Sequence, residues 1–244
     1  MLQLVFLGFL ASAGIQGAPS PLEGAWNLQE YVLDGKDVPV SGTLIFSGDR
    51  FAMAYRMGPA ADSGRGHGGT YRVEGDRLLF LIPYWLQHVD GAPQVMTETP
   101  NAGSQFVIEG DELRIRFEND ALQRFTRAPS STNPLDGAWM MSAYESEAKS
   151  GNAEGHALFA DGSFVLIYVM DRSSSAPDAR VHAGGFGVEG DTLTLKVETS
   201  IHCVGGEWRV ERTPSPRDTQ FRLEDEKLDL AFASGARMSF VRVP

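Results

Sequence analysis

Two short stretches decide the fold: Leu22-Glu23-Gly24-Ala25-Trp26 near the start and Leu135-Asp136-Gly137-Ala138-Trp139 past the middle. They are one pattern written twice, 113 residues apart. The same offset carries Tyr31 onto Tyr144, Gly42 onto Gly155, Phe46 onto Phe159, Phe51 onto Phe164, Tyr55 onto Tyr168 and Met57 onto Met170. Further along the offset is 115, so that residues 68–76 align with 183–191, 106–113 with 221–228, and Phe125-Thr126-Arg127 with Phe240-Val241-Arg242. A two-residue insertion around residues 172–178 accounts for the change. Register kept over the whole unit marks a duplication. The join, Ala128-Pro129-Ser130-Ser131-Thr132-Asn133-Pro134, has no apolar periodicity and reads as a linker. It divides the chain into units at 21–128 and 134–244, each long enough to fold alone.

Each unit reads as strands. Arg50-Phe51-Ala52-Met53-Ala54-Tyr55-Arg56-Met57 alternates large apolar with small or charged residues, as does Leu193-Thr194-Leu195-Lys196-Val197-Glu198. Leu113–Phe117 and Leu228–Phe232 follow the same period. Turns are marked by Ser47-Gly48-Asp49, Glu74-Gly75-Asp76, Glu109-Gly110-Asp111, Asp161-Gly162 and Glu189-Gly190-Asp191. Helical periodicity is nearly absent, with at most a short helix at 145–150. Roughly eight or nine hairpin-linked strands per unit predict an all-β chain of two tandem up-and-down antiparallel barrels, because closure removes exposed edges.

Composition narrows the function classes. A chain that is 42% hydrophobic and 22% charged has enough apolar content for a core. Its net charge of −11, with no basic run, excludes binding that depends on neutralising phosphates, so no nucleic-acid partner is expected. Residues 1–18 combine an apolar run (Leu2, Leu4, Val5, Phe6, Leu7, Phe9, Leu10) with small residues at Ala11-Ser12-Ala13-Gly14 and Gly17-Ala18. This is too short for a membrane span and reads as a signal peptide, although it holds no Lys or Arg. The expectation is an exported protein, periplasmic or secreted, that does not cross the membrane. Cys203 is the only cysteine, so no internal disulfide forms and a buried, inert thiol is expected.

At the unit boundaries the residues resemble the bacterial lipocalin-like (calycin) domains. Gly24-Ala25-Trp26 and Gly137-Ala138-Trp139 are similar to the Gly-x-Trp on the first lipocalin strand. Arg127 and Arg242 stand where that family places a last-strand Arg over the Trp. The resemblance implies ligand binding in one or both barrels, with Trp26/Arg127 and Trp139/Arg242 as cation–π plugs of structural role. The units are shorter than animal lipocalins and lack that family's middle motif.

Inward and outward residues alternate along barrel strands. The predicted inner, ligand-lining set is Phe51, Met53, Tyr55 and Met57 with Phe80 and Tyr84 in the first unit, and Phe164, Leu166, Tyr168 and Met170 in the second. The same stripe also fits a core filled by its own side chains. Two outer faces are too apolar for solvent: Val165, Ile167 and Val169 in the second unit, and Leu79, Leu81 and Trp85 in the first. These predict domain–domain packing or a protein partner.

Chemistry finds no foothold. His67, His88, His156, His182 and His202 lack metal-ligand spacing, and His202 and Cys203 point to opposite faces of a strand. His67 and His182 fall among glycines and read as exposed loop residues near the barrel mouths. No catalytic residue, metal or cofactor is expected. The leading expectation is a binding module for a small hydrophobic or amphipathic ligand. A structural, interaction or inhibitor protein of the cell envelope with filled barrels is the second, and a calycin-type isomerase or hydratase the third.

Overall fold

The computed structural model describes residues 20–58, 63–89, 92–96, 102–146, 150–151, 153–171, 177–211 and 216–243. The signal peptide expected at 1–18 lies outside the described residues. Ten strands come from the first unit. They are β1 (Gly24–Leu33), β2 (Lys36–Val38), β3 (Val40–Ser47), β4 (Arg50–Met57), β5 (Ser63–Glu74), β6 (Arg77–Val89), β7 (Ala92–Met96), β8 (Ala102–Glu109), β9 (Glu112–Phe117) and β10 (Leu122–Arg127). The second unit repeats them as β11 (Gly137–Glu145), β12 (Ser150–Gly151), β13 (Ala153–Ala160), β14 (Ser163–Met170) and β15 (Asp178–Glu189). It ends with β16 (Thr192–Val204), β17 (Glu207–Glu211), β18 (Arg217–Glu224), β19 (Lys227–Phe232) and β20 (Arg237–Arg242).

Every pairing is antiparallel and joins chain neighbours, except that β1–β3, β6–β8, β11–β13 and β16–β18 each pass over one short strand, until β1 meets β10 and β11 meets β20, which closes each sheet on itself. Eight strands form each closed barrel, while β2, β7, β12 and β17 are short flaps on β1, β6, β11 and β16. The fold is therefore all-β with two up-and-down barrels in tandem. No helix occurs among the described residues, and of the span considered for one, residue 145 ends β11 and residue 150 opens β12.

The tight turns fall where the Gly-Asp pairs predicted them. Asp161 and Gly162 both have positive φ (50° and 71°), the geometry of a two-residue hairpin turn whose twist matches the strands it joins.

Each seam carries the Trp/Arg pair. Trp26 pairs with Arg127 in register and Trp139 with Arg242, the guanidinium carbons lying 4.0 and 4.2 Å from the ring centroids. Each Arg also donates to two backbone carbonyls (Glu23 and Pro21; Asp136 and Pro134), and each indole N–H donates to a carbonyl four residues earlier. Stacking of this kind contributes about 0.5–2 kcal/mol per pair, and here it locks the first strand to the last.

Inside the barrels lie two apolar clusters. Trp26, Phe46, Phe51, Met53, Tyr55 and Met57 belong to the first, and Trp139, Phe159, Phe164, Leu166, Tyr168 and Met170 to the second. A third cluster lies between the barrels. Val165, Ile167 and Val169, read from sequence as a greasy outer face, are buried there against Ile45, Ala52, Ala54, Tyr84 and Leu86 of the first barrel. Cys203 is buried in the same layer.

The first barrel's expected contribution is corrected. Leu81 is 51% exposed and Leu79 is half-buried, while Trp85 turns inward. Leu79 and Leu81 keep their outward orientation but face away from the second barrel, and for Trp85 the cause is a β-bulge. The register between β5 and β6 shifts between Gly68 and Thr70, leaving an extra residue on β6. Before it Leu78, Phe80 and Ile82 face inward; after it Trp85 does, and Tyr84 and Leu86 face the other barrel. Strict alternation, which placed Tyr84 inside and Trp85 outside, fails at that one residue.

The bulge is duplicated. The β15–β16 register shifts at Ala183/Gly184. A Cβ on Gly69 would run into the Leu81 carbonyl, and one on Gly184 into the Lys196 carbonyl. Both positions therefore require glycine.

Candidate functional site

The lumens of the two barrels are equivalent places in the repeat. In the first, Tyr55 on β4 pairs across to Arg65 on β5, Arg65 to Gln87 on β6, and His67 to Trp85. In the second, Tyr168 pairs with Arg180, Arg180 with His202, and His182 with Ser200. Each lumen thus holds one Tyr–Arg–His group, joined by a second tyrosine, Tyr31 or Tyr144. What differs is the partner on β6 and β16. The first barrel has Trp85 and Gln87 where the second has Ser200 and His202.

The two lumens also hold cavities of different size. Trp85 packs edge-on against His67, with centroids 5.0 Å apart, and occupies the lumen. The remaining cavity is about 190 Å³, lined by Phe51, Met53, Tyr55, Phe80, Ile82 and Trp85 among others. In the second barrel Ser200 stands at that position, buried and bonded to both histidines, and the cavity of that lumen is about 770 Å³. Its apolar wall includes Leu166, Leu195, Val197, Phe232 and Met238, and its polar groups include Tyr168, Arg180, His182, Arg217 and Asp218.

Among the residues expected to line a ligand site, Phe51, Met53, Tyr55 and Phe80 surround the smaller cavity, and Leu166 and Tyr168 the larger. Met57, Phe164 and Met170 sit in the barrel cores away from these cavity walls. Tyr84 does not reach a lumen; it lies between the barrels, edge-on to His156 at 5.3 Å.

His67 and His182 are not loop residues. They lie on β5 and β15 and face the lumens, His182 being 5% exposed. Glycines at 64, 66, 68 and 69 made β5 look like a loop, but Gly64, Gly66 and Gly68 form its outer face against the second barrel. A Cβ on Gly64 would stand 2.8 Å from the Ile201 side chain, and those on Gly66 and Gly68 would meet Val181 and His156. The arginines of the lumens were overlooked as well. The signal was present, since the offset of 115 carries Arg65-Gly66-His67 onto Arg180-Val181-His182.

The electrostatics follow from burial. His67 is held down to about 3, first by loss of water and second by the charge of Arg65. Burial also holds His182 well below its usual value, followed by His202, Arg217 and Arg180. His202 is lowered too, by burial and then Arg180. The hydroxyls of Tyr55 and Tyr168 are pushed up to about 12 by burial, against the pull of Arg65 and Arg180 beside them. At neutral pH His67, His182, His202, Tyr55 and Tyr168 are therefore uncharged, and the guanidiniums are the cationic groups of each lumen. Ser200 Oγ lies 3.1 Å from His182 Nδ1 and 2.9 Å from His202 Nε2, which ties both rings in place. No cluster of three or more His, Cys, Asp or Glu suited to a metal occurs among the described residues. No described helix is long and apolar enough to cross a membrane.

Fold and site together define a tandem up-and-down β-barrel protein with one nearly filled and one open lumen. Comparison with protein-family models and with curated proteins gives no match.

Proposed function

We propose that this chain is an exported, lipocalin-like binding protein whose second barrel holds a small apolar or amphipathic molecule. The observation that carries this reading is the difference in volume between the two lumens. Ligand sites typically enclose about 300–1,000 Å³ with apolar walls and a few oriented polar groups. The second lumen, at about 770 Å³, falls in that range, and the first, at about 190 Å³, falls below it. The first barrel then serves as a filled structural partner. Export rests on the apolar leader at 1–18.

A second reading, catalysis in the same chamber, draws on His182, a buried imidazole facing the lumen beside Ser200. Its lowered basicity makes it a poor proton acceptor, and it has no carboxylate partner in the cavity wall besides Asp218 at the rim. Binding is the better supported of the two.

Titration with Nile red, an uncharged dye that brightens in apolar surroundings, tests the chamber. Wild-type protein is expected to bind the dye, and Ser200→Trp with an unchanged β-sheet circular dichroism spectrum to lose most of that signal. A folded wild-type chain that leaves the dye dark overturns the reading.

A further inference from the structure

A two-fold interface between identical subunits sets the same patch of each against the other, so that residue i meets j and j meets i. The layer between the barrels has that form within one chain. It is built from equivalent positions of the repeat, Ile45 with Leu158, Ala52 with Val165 and Ala54 with Ile167 among them. The strand contacts are reciprocal as well. β3 touches β14 as β4 touches β13, β4 touches β15 as β5 touches β14, and β5 touches β16 as β6 touches β15. The flaps β7 and β17, equivalent to one another, meet directly.

The axis of this pseudo-symmetry passes beside Gly66 and Val181. They are equivalent positions and also neighbours, since a Cβ on Gly66 would run into the Val181 side chain. Gly64 stands against Ile201 and Gly68 against His156. The equivalents of those two pairs, Ala179 with Leu86 and Ala183 with Thr43, are buried too. Symmetry of place is therefore kept while symmetry of size is lost. Two copies of the second face would set valine on valine where one already fills the space above a glycine, and overpacking of that kind is destabilising. Two copies of the first face would set glycine on glycine and leave a void.

We infer that the inter-barrel layer is a complete two-fold interface fused into one chain: it holds the barrels together without the linker, and each face accepts the other barrel and rejects a copy of itself. The partner that fits the first barrel's glycine and alanine face is a barrel carrying branched side chains at the equivalent positions. One polar bond crosses the layer apart from the linker, from the Ala25 N–H to the Asp161 carboxylate at 3.0 Å. The inference stands whatever either lumen holds.

Cutting the linker of the folded full chain tests it. A thrombin site inserted between Ser130 and Ser131 is cleaved after folding, and the product is weighed by native mass spectrometry at micromolar concentration. One first-barrel fragment bound to one second-barrel fragment is expected, with no pair of like fragments. In the cut protein Gly66→Val should weaken the pairing at least about tenfold, as overpacking implies. Gly66→Val combined with Val181→Gly should restore most of it, because the axis makes the two positions interchangeable. Separation of the wild-type halves, or like pairs among them, overturns the inference. So does a Gly66→Val protein that pairs as tightly as wild type, or a doubly exchanged protein that pairs no better than Gly66→Val alone.

Discussion

His156 shows how much a single residue carries in this molecule. It points outward from β13, is 1% exposed, and fills the hollow that Gly68 leaves on the facing strand. Tyr84 packs edge-on against it, and neither ring nitrogen finds a partner. Burial first, and the charge of Arg50 second, hold its pKa down to about 3 from an ordinary 6.5. The sign of the effect follows. In acid the unfolded chain takes up the proton before the folded one does, so stability falls as pH drops below about 6.5 and continues falling towards 3. His67, His182 and His202 are lowered too and act in the same direction. A buried polar group without a partner costs about 1–3 kcal/mol. His156→Leu is therefore expected to be at least as stable as wild type near pH 7 and to lose less stability between about pH 7 and pH 4. Urea-unfolding midpoints across that range measure this, and an equally steep acid loss in both proteins would refute it.

The strand pair β5–β6 and its repeat β15–β16 decide which side chains see the lumen. Their shared bulge needs glycine for steric reasons, because a methyl group at 69 or 184 meets a backbone carbonyl that cannot swing away. Gly75, by contrast, has φ +65° and open space around it. Gly75→Ala should cost only the left-handed strain of about 1–2 kcal/mol. Gly69→Ala should cost about 3 kcal/mol or more, since backbone atoms must move. Thermal unfolding of the two variants side by side checks the order, and a Gly69→Ala protein as stable as Gly75→Ala would show that the bulge is not fixed. These strands also mark where sequence reasoning stopped. The repeat, the Gly-Asp turns, the Trp/Arg seams and the stripe Phe51-x-Met53-x-Tyr55 were legible, because each is local or repeats at a fixed offset. Trp85 was misplaced because one unpaired residue on β6 inverts the faces beyond it, and a bulge depends on the partner strand as much as on its own. His67 was misplaced because glycines that make room for a neighbouring domain look the same in sequence as glycines that make a loop.

At the scale of the whole molecule, the two barrels share a buried layer built from unlike halves. The first supplies glycines and alanines (Gly64, Gly66, Gly68, Ala52, Ala54) beside Ile45, Tyr84 and Leu86, and the second supplies chiefly branched side chains, Val165, Ile167, Val169, Val181 and Ile201. Asp161 adds a polar tie, accepting from the backbone N–H of Ala25 at 3.0 Å and of Ser131, in the linker, at 3.2 Å. A single aromatic side chain, Trp85, is expected to separate the filled barrel from the open one. Binding stoichiometry of dodecanoate by native mass spectrometry, wild type against Trp85→Ser, tests it most directly. One molecule bound per wild-type chain and a second admitted by Trp85→Ser is the predicted result. An unchanged stoichiometry in a folded Trp85→Ser protein, or two molecules already bound by wild type, would contradict it.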